Sequence, residues 1–190
     1  MRHPVHRQNS RSGFTFVELA VAMTILLVAL LIFSSTISGM AKQRAVNRET
    51  NLAVSAARNM IETLRSQAFE QVFVLYDADP NDDPGGAATG PGNHFAVPGL
   101  DPTADAPGGM QGEIVFPTVV DPLKGLELRE DLEDRQLGMP RDLSGDNVVD
   151  DQDHRAGYFI LPVLVRVRWM SPNGIRQYDL STQLCKYKKS

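Results

Sequence analysis

Two sets of residues in this 190-residue chain have types and spacings that do chemistry. The first is Asp142-Leu143-Ser144-Gly145-Asp146-Asn147-Val148-Val149-Asp150-Asp151-Gln152-Asp153. It puts oxygen-bearing side chains at the first, third, fifth, ninth and twelfth positions of a loop, with an apolar residue at the eighth, as twelve-residue calcium loops do. Carboxylates this dense repel one another unless a hard cation sits among them. The expected ion is a structural calcium, held by Asp142, Ser144, Asp146, the carbonyl of Val148, Asp150 and Asp153. Asn147 stands where such loops have a turn glycine, but asparagine tolerates left-handed geometry. Asp153 stands where they have a bidentate glutamate, and the following Gly157 to Val167 reads as strand, so this is a lone loop. The competing reading is a solvated acidic turn.

The second set lies near the start, in Gly13-Phe14-Thr15-Phe16-Val17-Glu18. From Leu19 to Ala41 no residue is charged, which is enough to cross a bilayer as a helix, a task needing about 20 residues. A carboxylate in such a helix costs about 3 kcal/mol or more, so Glu18 calls for a partner and a purpose. Residues 1–13 carry Arg2, Arg7 and Arg11 and no acid. An ordinary signal peptide is cut after its apolar run at a small-residue site. Here Ser34 to Arg48 reads on as helix, and the run is expected to stay as an anchor.

Composition excludes several functions. The net charge of -4 hides an asymmetry: Asp77 to Glu113 holds no Lys or Arg, whereas seven basic residues and one acid, Asp179, lie beyond His154. A nucleic-acid footprint wants a basic face, so none is expected. The single cysteine, Cys185, forms no internal disulfide and reads as a small buried residue on a strand. The four histidines are scattered and show no zinc-ligand spacing. With no catalytic triad, phosphate loop or dinucleotide fingerprint, the chain reads as non-enzymatic.

The elements that position these residues follow from periodicity. Leu52, Ala53, Ala56, Ala57, Met60, Ile61, Leu64, Ala68, Val72 and Leu75 recur at three- and four-residue spacing, one apolar face of a helix, with Arg44, Arg48, Asn51, Ser55, Glu62 and Arg65 mainly opposite. No Pro or Gly interrupts Met40 to Tyr76, which predicts one unbroken helix from about Phe14 to Tyr76, on the order of 90 Å long. Its stripe is covered either by a sheet of the same chain, the favoured reading for Met60 to Leu75, or by neighbouring subunits. Asp77 to Gly112 is rich in Pro, Gly and Asp and reads as a long surface loop, functional or disordered. Glu113 to Val120 reads as strand broken by Pro117. Gly125 to Leu137 fits a strand and turn or a short helix. Val163, Val165, Val167 and Trp169 alternate with Leu164, Arg166, Arg168 and Met170, and after Ser171-Pro172-Asn173-Gly174 a second strand runs from Ile175 to Cys185: a closing hairpin, with Trp169 in the core.

The Gly13, Phe14 and Glu18 pattern, within GFTFVELAVAMTILLVALL, resembles type IV pilin-like proteins. The resemblance implies that a prepilin peptidase cuts between Gly13 and Phe14 and methylates the new amine of Phe14. It implies that Glu18 offsets the buried amine of an adjacent subunit's Phe14 during assembly. VLVRVRWMSPNGIRQYDLST is similar to the closing hairpin of minor pilins and minor pseudopilins. The expected fold is α+β, a long N-terminal helix with a membrane-spanning first half, packed on a small antiparallel sheet. The expected segments are a leader at 1–13, an assembly helix at 14–41, an amphipathic continuation at 42–76, a loop at 77–112 and a β-domain at 113–190. The resemblance also implies other pilin-like subunits and an inner-membrane assembly platform as partners, and a single-pass inner-membrane protein whose domain lies in the periplasm. A minor pseudopilin of type II secretion is the leading reading. A minor pilin of a type IV pilus or DNA-uptake system is the alternative, and a membrane-anchored calcium- or substrate-binding module that never polymerises is the reading from another class.

Overall fold

A computed structural model describes Gly13 and residues 15–123 and 125–186 of the chain. The leader and Phe14, the expected processing sites except for Gly13, lie outside the described residues. The chain divides into two units, Met1–Arg44 and Ala45–Ser190. The uncharged run forms the first part of helix α1, Phe16–Ser66, because it holds no proline and a lone glycine, Gly39, costs a helix only about 1 kcal/mol, and one residue starts it well. The Oγ1 of Thr15 accepts the N–H of Glu18 at 3.2 Å, and its carbonyl accepts the N–H of Leu19 at 3.1 Å, an N-cap that satisfies donors the first turn leaves over. Within the first unit the apolar side chains are unburied: Phe16 is 86% exposed and Leu31 71%. The most apolar window of α1 has a mean hydropathy of 2.7, long and greasy enough to cross a membrane.

In the second unit the remainder of α1 turns its stripe inward. Val46, Ala53, Ala57, Ile61 and Leu64 are buried, while Arg48, Asn51, Ser55, Glu62 and Arg65 are exposed. The continuous helix expected to Tyr76 is instead two: α1 ends at Ser66 and α2 spans Phe69–Tyr76. Ala68 is extended, with φ -63° and ψ 127°, although no Pro or Gly marks the spot. Packing explains the break. It lets α2 bury Val72, Phe73 and Tyr76, and it places the carbonyl of Phe69 where it accepts the Tyr158 hydroxyl at 3.1 Å. Phe73 then stands 5.3 Å from the ring of Phe116, a tilted contact of the kind aromatic pairs favour.

The helices cover an antiparallel sheet of four strands ordered β1-β2-β5-β6, with a separate β3-β4 hairpin. The strands are β1 His94–Phe95, β2 Gly112–Val115, β3 Thr118–Asp121, β4 Gly125–Leu128, β5 Ile160–Ser171 and β6 Gly174–Cys185. Pro117 separates β2 from β3 and so sends one predicted strand into two sheets, consistent with its missing donor. The closing hairpin stands as expected, with Val165 opposite Leu180 and Ser171 opposite Gly174 across a two-residue turn. Leu161, Val163, Val165, Val167 and Trp169 share one face of β5 and are buried with Ala53, Ala57, Ile61 and Leu64 in one core. This is the α+β plan expected, a long N-terminal helix packed on a small antiparallel sheet.

Two further expectations change. The Pro/Gly segment is not structureless throughout: Gln111 accepts the N–H of Val97 and donates to the carbonyl of Leu100, both at 2.8 Å, Val97 and Leu100 are buried, and β1 pairs with β2. A buried amide that satisfies two backbone groups holds a loop in place. Cys185 lies on a strand as predicted but is exposed, because it ends β6, an edge strand of the sheet.

Candidate functional site

Glu18 occupies the first turn of α1, where a carboxylate faces the positive end of the helix dipole. Its side chain is exposed, and Thr15 fixes where the helix starts and hence where Glu18 sits. Sequence reasoning passed over Thr15, yet Thr15-Phe16-Val17-Glu18 has the Thr-x-x-Glu spacing of a capping box, and the structure carries the threonine half of it. Gly13 is exposed, with nothing within 4 Å of where a side chain would start, so no packing demand accounts for glycine there.

The acidic loop is built from its carboxylates upward. Asp142 Oδ1 accepts the N–H of Gly145 at 2.6 Å and Oδ2 that of Asn147 at 2.8 Å. Asp146 Oδ1 accepts the N–H of Val148 at 2.8 Å, and Asp150 Oδ1 that of Gln152 at 2.9 Å. Asn147 adopts φ 67°, the left-handed geometry expected of the residue in the glycine's place. Asp153 turns out of the loop: Oδ1 accepts the N–H groups of Leu128 and Arg155, and Oδ2 meets the Arg155 guanidinium at 2.8 Å. These contacts set the acidities. Partial desolvation raises Asp142, but the N–H groups of Asn147 and Gly145 outweigh it and hold its carboxyl below the usual range. The Gln152 N–H and then the His154 ring lower Asp150.

Beneath the loop lies a residue that no local pattern announced. Glu130 is completely buried, and its Oε1 accepts the N–H groups of Leu143 at 2.7 Å and Ser144 at 2.9 Å, so it clamps the start of the loop. Its Oε2 accepts no hydrogen bond, a situation that costs on the order of 1–3 kcal/mol or more for a charged group. His154 stands between two acids, Nδ1 at 3.6 Å from Glu130 Oε1 and Nε2 at 3.0 Å from Asp150 Oδ1. One ligand atom from each of Glu130, Asp150 and His154 lies within 4.8 Å of the other two. Of the expected calcium ligands, only Asp150 belongs to this group. Glu130 and His154 escaped notice because they are distant in sequence, and the chain reversal after β4 brings them together.

A second acidic site flanks the end of α2. Asp77 is buried, and its Oδ1 accepts the N–H of Asp79 at 2.9 Å while Oδ2 accepts nothing. Burial, followed by repulsion from Asp82, Asp79 and Asp83, pushes its carboxyl up to about 7 against the one N–H that lowers it. Arg155, 3.9 Å from Asp82 and bound to Asp153, links this turn to the loop beyond β4.

A family model described as the prokaryotic N-terminal methylation motif matches residues 8–34. Comparison with curated proteins and with solved structures gives no match to the chain. The match takes in Arg11, Gly13, Glu18 and the apolar start of α1, and together with that apolar helix it makes the chain membrane-anchored.

Proposed function

We propose that this chain, a type IV pilin-like protein that prepilin peptidase processes, is a non-enzymatic minor pseudopilin of a type II secretion system. One observation carries the reading: the methylation motif heads a helix whose apolar side chains from Phe16 to Met40 are left uncovered by the described chain. Such a helix requires lipid first and other helices afterwards. In this role the peptidase cuts after Gly13 and methylates Phe14, the protein sits in the inner membrane with its domain in the periplasm, and an assembly platform passes it into a short filament of pilin-like subunits. Glu18 serves the amine of a neighbouring Phe14, since two charges in an apolar surrounding are tolerable only as a pair.

The test separates processing from assembly. In cells holding the peptidase, Gly13→Ala is expected to leave the N-terminus uncut by mass spectrometry, and Glu18→Val to be cut yet to lose crosslinks between the helices of adjacent copies. Normal cutting of Gly13→Ala defeats the proposal, as do undiminished crosslinks in Glu18→Val. Loss of protein secretion on deletion of the chain supports the secretion role, whereas loss of surface pili or DNA uptake with intact secretion moves it to a pilus.

Calcium belongs to the same reading as a structural ion in the loop, held by Asp142, Ser144, Asp146, Val148 and Asp150, and by Asp153 only once it leaves Arg155. The left-handed Asn147 supports it. A melting temperature that rises with calcium in the native chain and ceases to respond in Asp142→Ala/Asp146→Ala is the expected result; a native chain indifferent to calcium removes the ion.

A further inference from the structure

We infer a divalent metal site at Glu130, Asp150 and His154, suited to a zinc-type ion and distinct from the calcium loop beside it. The two share only Asp150. The ligand atoms of the three residues already lie within 4.8 Å of one another. Donors around a tetrahedral zinc stand about 3.4 Å apart at ordinary bond lengths; His154 now presents Nδ1 to Glu130 and Nε2 to Asp150, so binding requires the partly exposed ring and Asp150 to turn until one ring nitrogen and both carboxylates meet the ion. One imidazole and two carboxylates are a borderline donor set, whereas calcium takes oxygens alone.

The independent pointer is Glu130. It is wholly buried, with an oxygen that accepts no hydrogen bond, and hydrogen bonding within the loop does not relieve it. The His154 ring faces the Oε1 side, its Nδ1 at 3.6 Å, and Oε1 already accepts two N–H groups, which fix the carboxylate as the supporting bonds of a metal ligand do. A cation gives the remaining oxygen its partner. The fourth position of the ion is left to water, and since no substrate-sized cleft is required the role is structural: the ion ties the end of β4 to the turn before β5.

The test uses the full chain in detergent, with zinc as the probe and calorimetry and thermal unfolding as readouts. One zinc per chain is expected, with a raised melting temperature. Glu130→Gln and His154→Gln retain side-chain bulk, and the amide oxygen that Glu130→Gln introduces still accepts from Leu143 and Ser144. Both variants are expected to weaken zinc at least about tenfold while circular dichroism stays native. Asp142→Ala is expected to retain zinc. Absence of zinc binding, calcium binding in preference to zinc at these residues, or zinc binding unchanged in both variants but lost without Cys185 or without His3 and His6, overturns the site. Loss of calcium response in Asp142→Ala with zinc binding intact supports it, because the two proposals then separate.

Discussion

At the scale of single residues, charge placed out of reach of water sets the behaviour of this domain. Asp77 shows the consequence for pH. Its carboxyl titrates near 7 in the folded chain, against 3.8 for an unperturbed one, so between those values the native state holds a proton that the unfolded state has lost. Stability therefore stands at its full value below about pH 4, falls as pH rises to about 7, and levels off beyond. Asp77→Asn retains the acceptor for Asp79 and cannot ionise. Its unfolding free energy is expected to lack this decline, so that the variant gains on the native chain from about pH 5 to about pH 8 in denaturant titrations; parallel curves for the two proteins would rule the mechanism out. Little of this was legible beforehand. The acids of 77–83 read as loop composition, and only the burial of Asp77 at the end of α2 distinguishes it from its neighbours.

At the scale of elements, the periods of the sequence were sound guides and the breaks were not. The stripe through Ala53, Ala57, Ile61 and Leu64 and the alternation through Val163, Val165, Val167 and Trp169 both face the core, because periodicity records which face is dry. The break at Ala68 left no mark, since it answers to Phe116 and Tyr158, which lie far along the sequence. Gly112 is a case where type and position agree. It pairs with Phe95 across β1 and β2, and a Cβ there would collide with the Phe95 ring, the arrangement in which an aromatic covers a strand glycine. Gly112→Ala must push that ring aside and is expected to destabilise the domain by about 1–3 kcal/mol, read as a lowered denaturation midpoint. No loss of stability would mean that β1 yields freely and contributes little to the sheet.

At the scale of the whole molecule, the N-terminal segment was legible as a methylation motif because it is local, a short run of residues from Gly13 to Glu18 whose recognition needs no fold. The acidic loop was legible only as a list of acids. Which of them face a common point depends on Glu130, supplied from outside the loop by the end of β4, and on the departure of Asp153 toward Arg155. The processing and assembly tests address the first region and the metal tests the second, and neither outcome presupposes the other. One further feature joins helix and sheet. Glu49 of α1 accepts the indole N–H of Trp169 at 3.1 Å and the hydroxyl of Ser171 at 2.6 Å, both from the last residues of β5, just after Val46 begins the buried stripe. A pull along this part of α1 reaches the sheet here as shear across two hydrogen bonds to one carboxylate. Because a hydrogen bond weakens steeply as it lengthens, this joint resists only a small travel between helix and sheet.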